Sequence, residues 1–97
     1  MERFKTKLTD NLFNAILSLK DKKECYKFFE DICTIKEIQD IAQRLEVARL
    51  LGEGRPYNDV AKITGASTAT ISRVNKCITY GSGGYDLVLK RISGSKD

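Results

Sequence analysis

Histidine is missing from this sequence of 97 residues, and that absence narrows the chemistry it could do. Acid–base work near neutral pH would fall to carboxylates, Lys, Tyr or Cys. The acids Asp31, Glu37, Asp40 and Glu46 stand among Lys and Arg at outward helical positions, as solvated faces do. No Ser, Cys or Lys stands in a recognisable nucleophile setting. The chain therefore does not read as an enzyme. Cys25, Cys33 and Cys77 have no CxxC spacing, and with no His beside them neither a metal site nor a cofactor is expected. Each cysteine falls on an apolar helical stripe, which suggests reduced, buried thiols in a cytoplasmic protein. Gly81-Ser82-Gly83-Gly84 could in principle cradle a phosphate, but it lacks the preceding strand and the following Lys-Ser/Thr of a nucleotide loop.

The remaining chemistry is electrostatic. Residues 1–54 hold ten Lys/Arg and ten Asp/Glu, so the whole net charge of +4 comes from residues 55–97. No acid occurs between Asp59 and Asp86. Within that gap lie Lys62, Arg73 and Lys76, together with the short polar or small side chains Ser67, Thr68, Ala69, Thr70 and Ser72. A basic surface concentrated on one element is the footprint of a phosphate-binding face. A solvated basic face with no partner would look the same in charge alone, so the elements that carry these residues must decide.

Those elements are written in Tyr57 to Cys77. The spacing predicts a short helix over about 58–63, a turn at Gly65 and a second helix from about Ser67. Val60, Ala61, Ala66, Ile71 and Val74 point inward. Gly65 can adopt positive φ without the steric cost of a Cβ, and the Ser67 hydroxyl can cap the second helix. This is the layout of a helix-turn-helix whose second helix enters a DNA major groove. Asn58 and Lys62 on the first helix, with Ser67, Thr68, Ala69, Thr70, Ser72, Arg73 and Lys76 on the second, form the candidate DNA-binding set. An ordinary helical hairpin packed in a core is the competing reading.

The rest of the chain supplies helices to hold that unit. Leu8, Leu12, Phe13, Ile16 and Leu17 recur at helical spacing, with residues 1–7 as a tail. Asp21 can cap a second helix whose core stripe is Cys25, Phe28, Phe29, Ile32 and Cys33. Thr34 and Glu37 form a capping box that opens the longest helix, to about Leu51, with Ile35, Ile38, Ile41, Ala42, Leu45, Ala48 and Leu51 as its apolar series. Gly52 and Gly54 end it. A last helix carries Tyr85, Val88, Leu89 and Ile92, and residues 93–97 are a tail. No strand is expected, no signal core opens the chain and no membrane span occurs. The length fits one domain, 1–97, all-α. So short a chain buries a limited fraction of its surface, and a second copy is expected to cover its apolar helices.

TIKEIQDIAQRLEVARLL, YNDVAKITGASTATISRVNKC and YGSGGYD together resemble the Trp-repressor superfamily, in its bacterial YerC/YecD-like branch of regulators, over roughly Lys5 to Ile92. The resemblance implies about six helices in an intertwined homodimer that binds double-stranded DNA at a palindromic operator, and the expected function is a transcriptional regulator acting as a repressor. It places Thr68, Ala69 and Ser72 at base-reading positions and Lys62 and Arg73 toward phosphates. It also implies a corepressor pocket in which Thr34, Arg44 and Arg73 match ligand-contacting residues. There the chain departs from the tryptophan-binding member: Val74 stands where that protein has a glycine that leaves room for the ring, and Cys77 replaces a serine. A bulkier group in such a space costs strain, which argues against tryptophan as the corepressor. Thr34 also has a plain role as a cap, and Arg44 a plain role in a surface ion pair. Two other functions stay open at this level: a helix-turn-helix that binds protein, and a regulator sensing another small molecule.

Overall fold

The computed structural model describes residues 4–94, and within them the chain is built from helices with no strand. They are α1 (Lys7–Leu17), α2 (Lys22–Ile32), α3 (Ile35–Gly52), α4 (Tyr57–Thr64), α5 (Thr68–Tyr80) and α6 (Gly84–Gly94). No described helix is long and apolar enough to cross a membrane.

The starts of α1, α2 and α3 are set by local side-chain hydrogen bonds, whereas α4 opens after Pro56 with none. Thr6 caps α1: its Oγ1 accepts from the Thr9 N–H at 3.1 Å, and Thr9 Oγ1 accepts from the Thr6 N–H at 2.8 Å. This reciprocal box begins α1 at Lys7, inside the stretch expected to be a tail. A Thr does here what Glu or Gln does in the usual pattern. Asp21 Oδ1 accepts from the Glu24 N–H at 2.9 Å and opens α2. Thr34 and Glu37 form the expected box, with the Glu37 N–H donating to Thr34 Oγ1 at 3.1 Å and the Thr34 N–H to Glu37 Oε1 at 2.8 Å.

Packing divides the chain into two units, one ending at Ile38 and one beginning at Gln39. In the first unit α1 and α2 hold no buried residue. Leu8 is 79% and Leu17 81% exposed, and Phe13 and Ile32 are also exposed. Phe28 and Phe29 are half-buried and meet edge-to-face at 5.6 Å between ring centres. The stripes predicted as core thus form an apolar face with no core of their own in the single chain. The same correction applies to the cysteines: Cys25 and Cys77 are exposed and Cys33 is half-buried.

The second unit owns the core. Val47, Ala48 and Leu50 of α3 pack with Val60 of α4, Ala66 of the turn, and Ile71 and Val74 of α5. Leu51, Ala61, Tyr85 and Leu89 close around them. Of the expected series only its end, Ala48 and Leu51, joins this core; Ile35, Ile38, Ile41, Ala42 and Leu45 do not. Ile35 is 72% exposed, Ile41 and Ala42 are exposed too, and Val47 and Leu50 take the buried places. Near its end α3 is apolar on two sides, so one period could not say which side the core would use.

Candidate nucleic-acid interface

The turn between α4 and α5 sets the geometry of the site. Gly65 has φ of 74°, in the left-handed region, and its N–H donates to the Ala61 carbonyl at 2.8 Å. That closes α4 with the glycine cap such helix ends favour. Thr64 knits the corner: its hydroxyl donates to the Val60 carbonyl at 2.7 Å and accepts from the Ala66 N–H at 3.1 Å. Ser67 Oγ then accepts from the Thr70 N–H at 3.1 Å and caps α5. Ile71 and Val74 anchor one side of α5 in the core, which leaves the opposite side outward.

That outward side carries most of the predicted residues. Thr68, Ala69, Arg73 and Lys76 are exposed on α5, as are Asn58 and Lys62 on α4. Ser72 and Thr70 are half-buried, and Thr70 Oγ1 shares a hydrogen bond with Ser67 Oγ at 3.1 Å. Ser67 thus spends its hydroxyl on the cap. Among the described residues Lys62, Arg73 and Lys76 stand in no ion pair, whereas Lys5, Arg49, Arg55 and Lys90 are paired with carboxylates. Phosphate can compete for these cations at full charge, though Lys22, Lys23 and Lys27 of α2 stand equally unpaired.

The residues matched to a corepressor pocket have diverse placements. Thr34 is engaged as the α3 cap. Arg44 is half-buried, Arg73 and Cys77 are exposed, and Val74 is 1% exposed with its side chain inside the core cluster. A separate groove of about 350 Å³ is lined by Arg49, Glu53, Asp86, Leu89, Lys90 and neighbours. Its charges satisfy one another. Arg49 binds Glu46 at 2.7 Å and Glu53 at 2.7 Å, and Lys90 meets Asp86 at 3.3 Å. The hydrogen bond from Arg49 holds the Glu46 carboxyl below its ordinary range, and Glu46 in turn holds the Arg49 guanidinium above its own.

Two residues of the site had no place in the candidate set. Thr64 was legible in principle, since a helical Thr can bond back to the carbonyl four residues earlier. Gln43 Nε2 donates to the Thr64 carbonyl at 3.1 Å across 21 residues of sequence, and no local pattern announces such a bond.

Two helices joined across a left-handed glycine, with an anchored second helix that presents unpaired cations, define an all-α helix-turn-helix protein. The chain belongs to the Trp repressor protein family, whose sequence model matches residues 7–93. That family makes DNA-binding regulation the coarse functional class. A Bacillus subtilis (strain 168) protein described as the uncharacterized protein YerC is 56% identical over 92 residues, covering 95% of this chain and 88% of that one. A TrpR-like protein from Eubacterium eligens ATCC 27750 has a crystal structure that superimposes with a TM-score of 0.91 at 57% identity, covering 94% of each chain. A Staphylococcus aureus protein described as a candidate Trp repressor also superimposes at 0.91, with 43% identity over 94% of this chain and 91% of that one.

Proposed function

We propose that the protein is a sequence-specific transcriptional repressor that binds a palindromic operator as a homodimer in the cytoplasm, without catalytic activity. The observation that carries this reading is the outward side of α5, with Thr68, Ala69, Arg73 and Lys76 exposed and its cations unpaired. Two copies would place two α5 helices in successive major grooves, about 34–36 Å apart. The apolar faces of α1 and α2 supply surface that a second copy would cover. Because Thr68 and Ala69 are short, methyl contacts, waters and DNA shape would carry much of the specificity.

The proposal includes independence from tryptophan. What supports it is that Val74 stands where the tryptophan-binding relative has a glycine, and that its side chain is packed in the core cluster with Ile71. Gel shifts on an operator fragment with and without L-tryptophan test this. Equal retardation in both is expected, and a strict requirement for tryptophan would sink the idea.

A second reading has its own observation: Tyr57 and Ile63 are exposed on α4, as an interaction module docking a protein would present them. Replacing both Arg73 and Lys76 with Ala discriminates the two. Loss of DNA binding favours the repressor, and protein capture unaffected by the change in a chain that never bound DNA favours the module.

A further inference from the structure

The core of the second unit attracts α3 to the helix-turn-helix but does not by itself fix their register. Val47, Ala48 and Leu50 meet Val60, Ala66, Ile71 and Val74 through apolar burial, which is strong and non-directional. A hydrogen bond is directional and weakens steeply with misalignment. One such bond joins the two: Gln43 Nε2, half-buried on α3, donates to the Thr64 carbonyl at 3.1 Å. That carbonyl belongs to the last residue of α4, where helix carbonyls have no partner along the chain. Thr64 also ties both sides of the corner, donating to the Val60 carbonyl and accepting from the Ala66 N–H. Ser67, the cap of α5, follows Ala66 directly.

We propose that Gln43 is a positioning residue: its bond to Thr64 latches the turn to α3 and fixes where α5 sits, with no bound effector involved. The inference rests on the DNA-reading role given above. Sequence is read through contacts in the groove that depend on where α5 sits, while phosphate contacts carry no sequence information directly. Releasing the latch therefore costs sequence discrimination before it costs general affinity.

The test uses the full chain, the duplex that wild-type protein enriches from a random pool, and a shuffled duplex of equal length, at one fixed salt concentration. Gln43→Met keeps the side chain's length and removes the donor. Gln43→Asn keeps the donor and cannot reach. Both are expected to weaken binding to the enriched duplex about five- to tenfold, the loss of one well-placed hydrogen bond, with binding to the shuffled duplex unchanged. Thr64→Ser, which retains carbonyl and hydroxyl, is expected to bind as wild type. Amide exchange of the free protein supplies the reading independent of DNA: Gly65 and Ala66 should exchange faster in both Gln43 variants. Wild-type affinity in both variants, or equal losses on both duplexes with a lowered melting temperature, overturns the latch. If wild-type protein enriches nothing while exchange at the turn still accelerates, the bond is real but the DNA reading has failed, and the latch's role in it falls too.

Discussion

The helices before Ile38 and the block after Gln39 are written in the same amphipathic pattern and end in opposite states. Leu12, Ile16, Phe28 and Phe29 recur as regularly as Val60, Ala61, Ile71 and Val74. Yet α1 and α2 leave their residues no more than half-buried, while α3, α4 and α5 share a closed apolar core. An apolar stripe states that a face must be covered; it does not state by what. In the second block the cover comes from neighbours in the chain, brought round by Gly54 at φ 83° and Gly65 at φ 74°. In the first block the proposed cover is a second copy.

The strongest way to break that contrast is to truncate one leucine on each side of it. Leu50→Ala, at a site 1% exposed, should lower stability by about 2–5 kcal/mol in urea unfolding. Leu17→Ala should cost far less in any assay of the isolated chain. Under the dimer proposal its cost appears only as a stability that depends on protein concentration. Equal, concentration-independent losses would erase the difference between the two blocks. More drastically, Leu8→Glu with Leu17→Glu should convert a dimer to monomers in sedimentation, and an unchanged sedimentation coefficient would leave those faces without a partner.

On the DNA side, Arg73→Ala should weaken binding across all sequences and lower the slope of log affinity against log salt by about one, as loss of one phosphate contact does. A change confined to one base position would instead make Arg73 a base reader. Caps offer a finer comparison, because both blocks have them with defined geometry. Ser67→Ala should cost about 1 kcal/mol of global stability. Thr6→Ala should mainly fray α1, seen as faster amide exchange at Thr9 and its neighbours. The smallest effect concerns pH. Glu46 has a lowered pKa in the folded state, so its contribution is present above the ordinary carboxylate range and is lost as pH falls through the lowered value. Since Glu46 and Arg49 are well exposed, solvent screening keeps this small. Arg49→Met should flatten the acid limb of a melting-temperature profile slightly.

Local chemistry was the most legible part of the sequence. The Thr34–Glu37 box, the Asp21 and Ser67 caps and the left-handed Gly65 each depend on residues within four positions of one another, and each stands where the residues imply. The Thr6–Thr9 box was hidden because Thr replaces the acid that normally marks it. Burial was legible only where one face of a helix was apolar. On α3 two faces compete, so Val47 and Leu50 displaced Ile35 and Ile41 from the expected core. Cys77 follows the apolar spacing of α5 and still lies outside, because the stripe outlasts the core that covers its first turns. The site divides the same way. Exposed Thr68, Ala69, Arg73 and Lys76 follow from helical geometry and the gap in acids. Gln43, whose partner lies 21 residues on, follows from nothing local.

Residues 57–80 are proposed to form a sequence reader already in place without a ligand. The most direct measurement is selection of bound sequences from a random DNA pool by the purified protein, with no small molecule added. An enriched palindrome with half-sites about one helical turn apart is expected. A pool that stays random, or that yields a motif only when an effector is supplied, would contradict it.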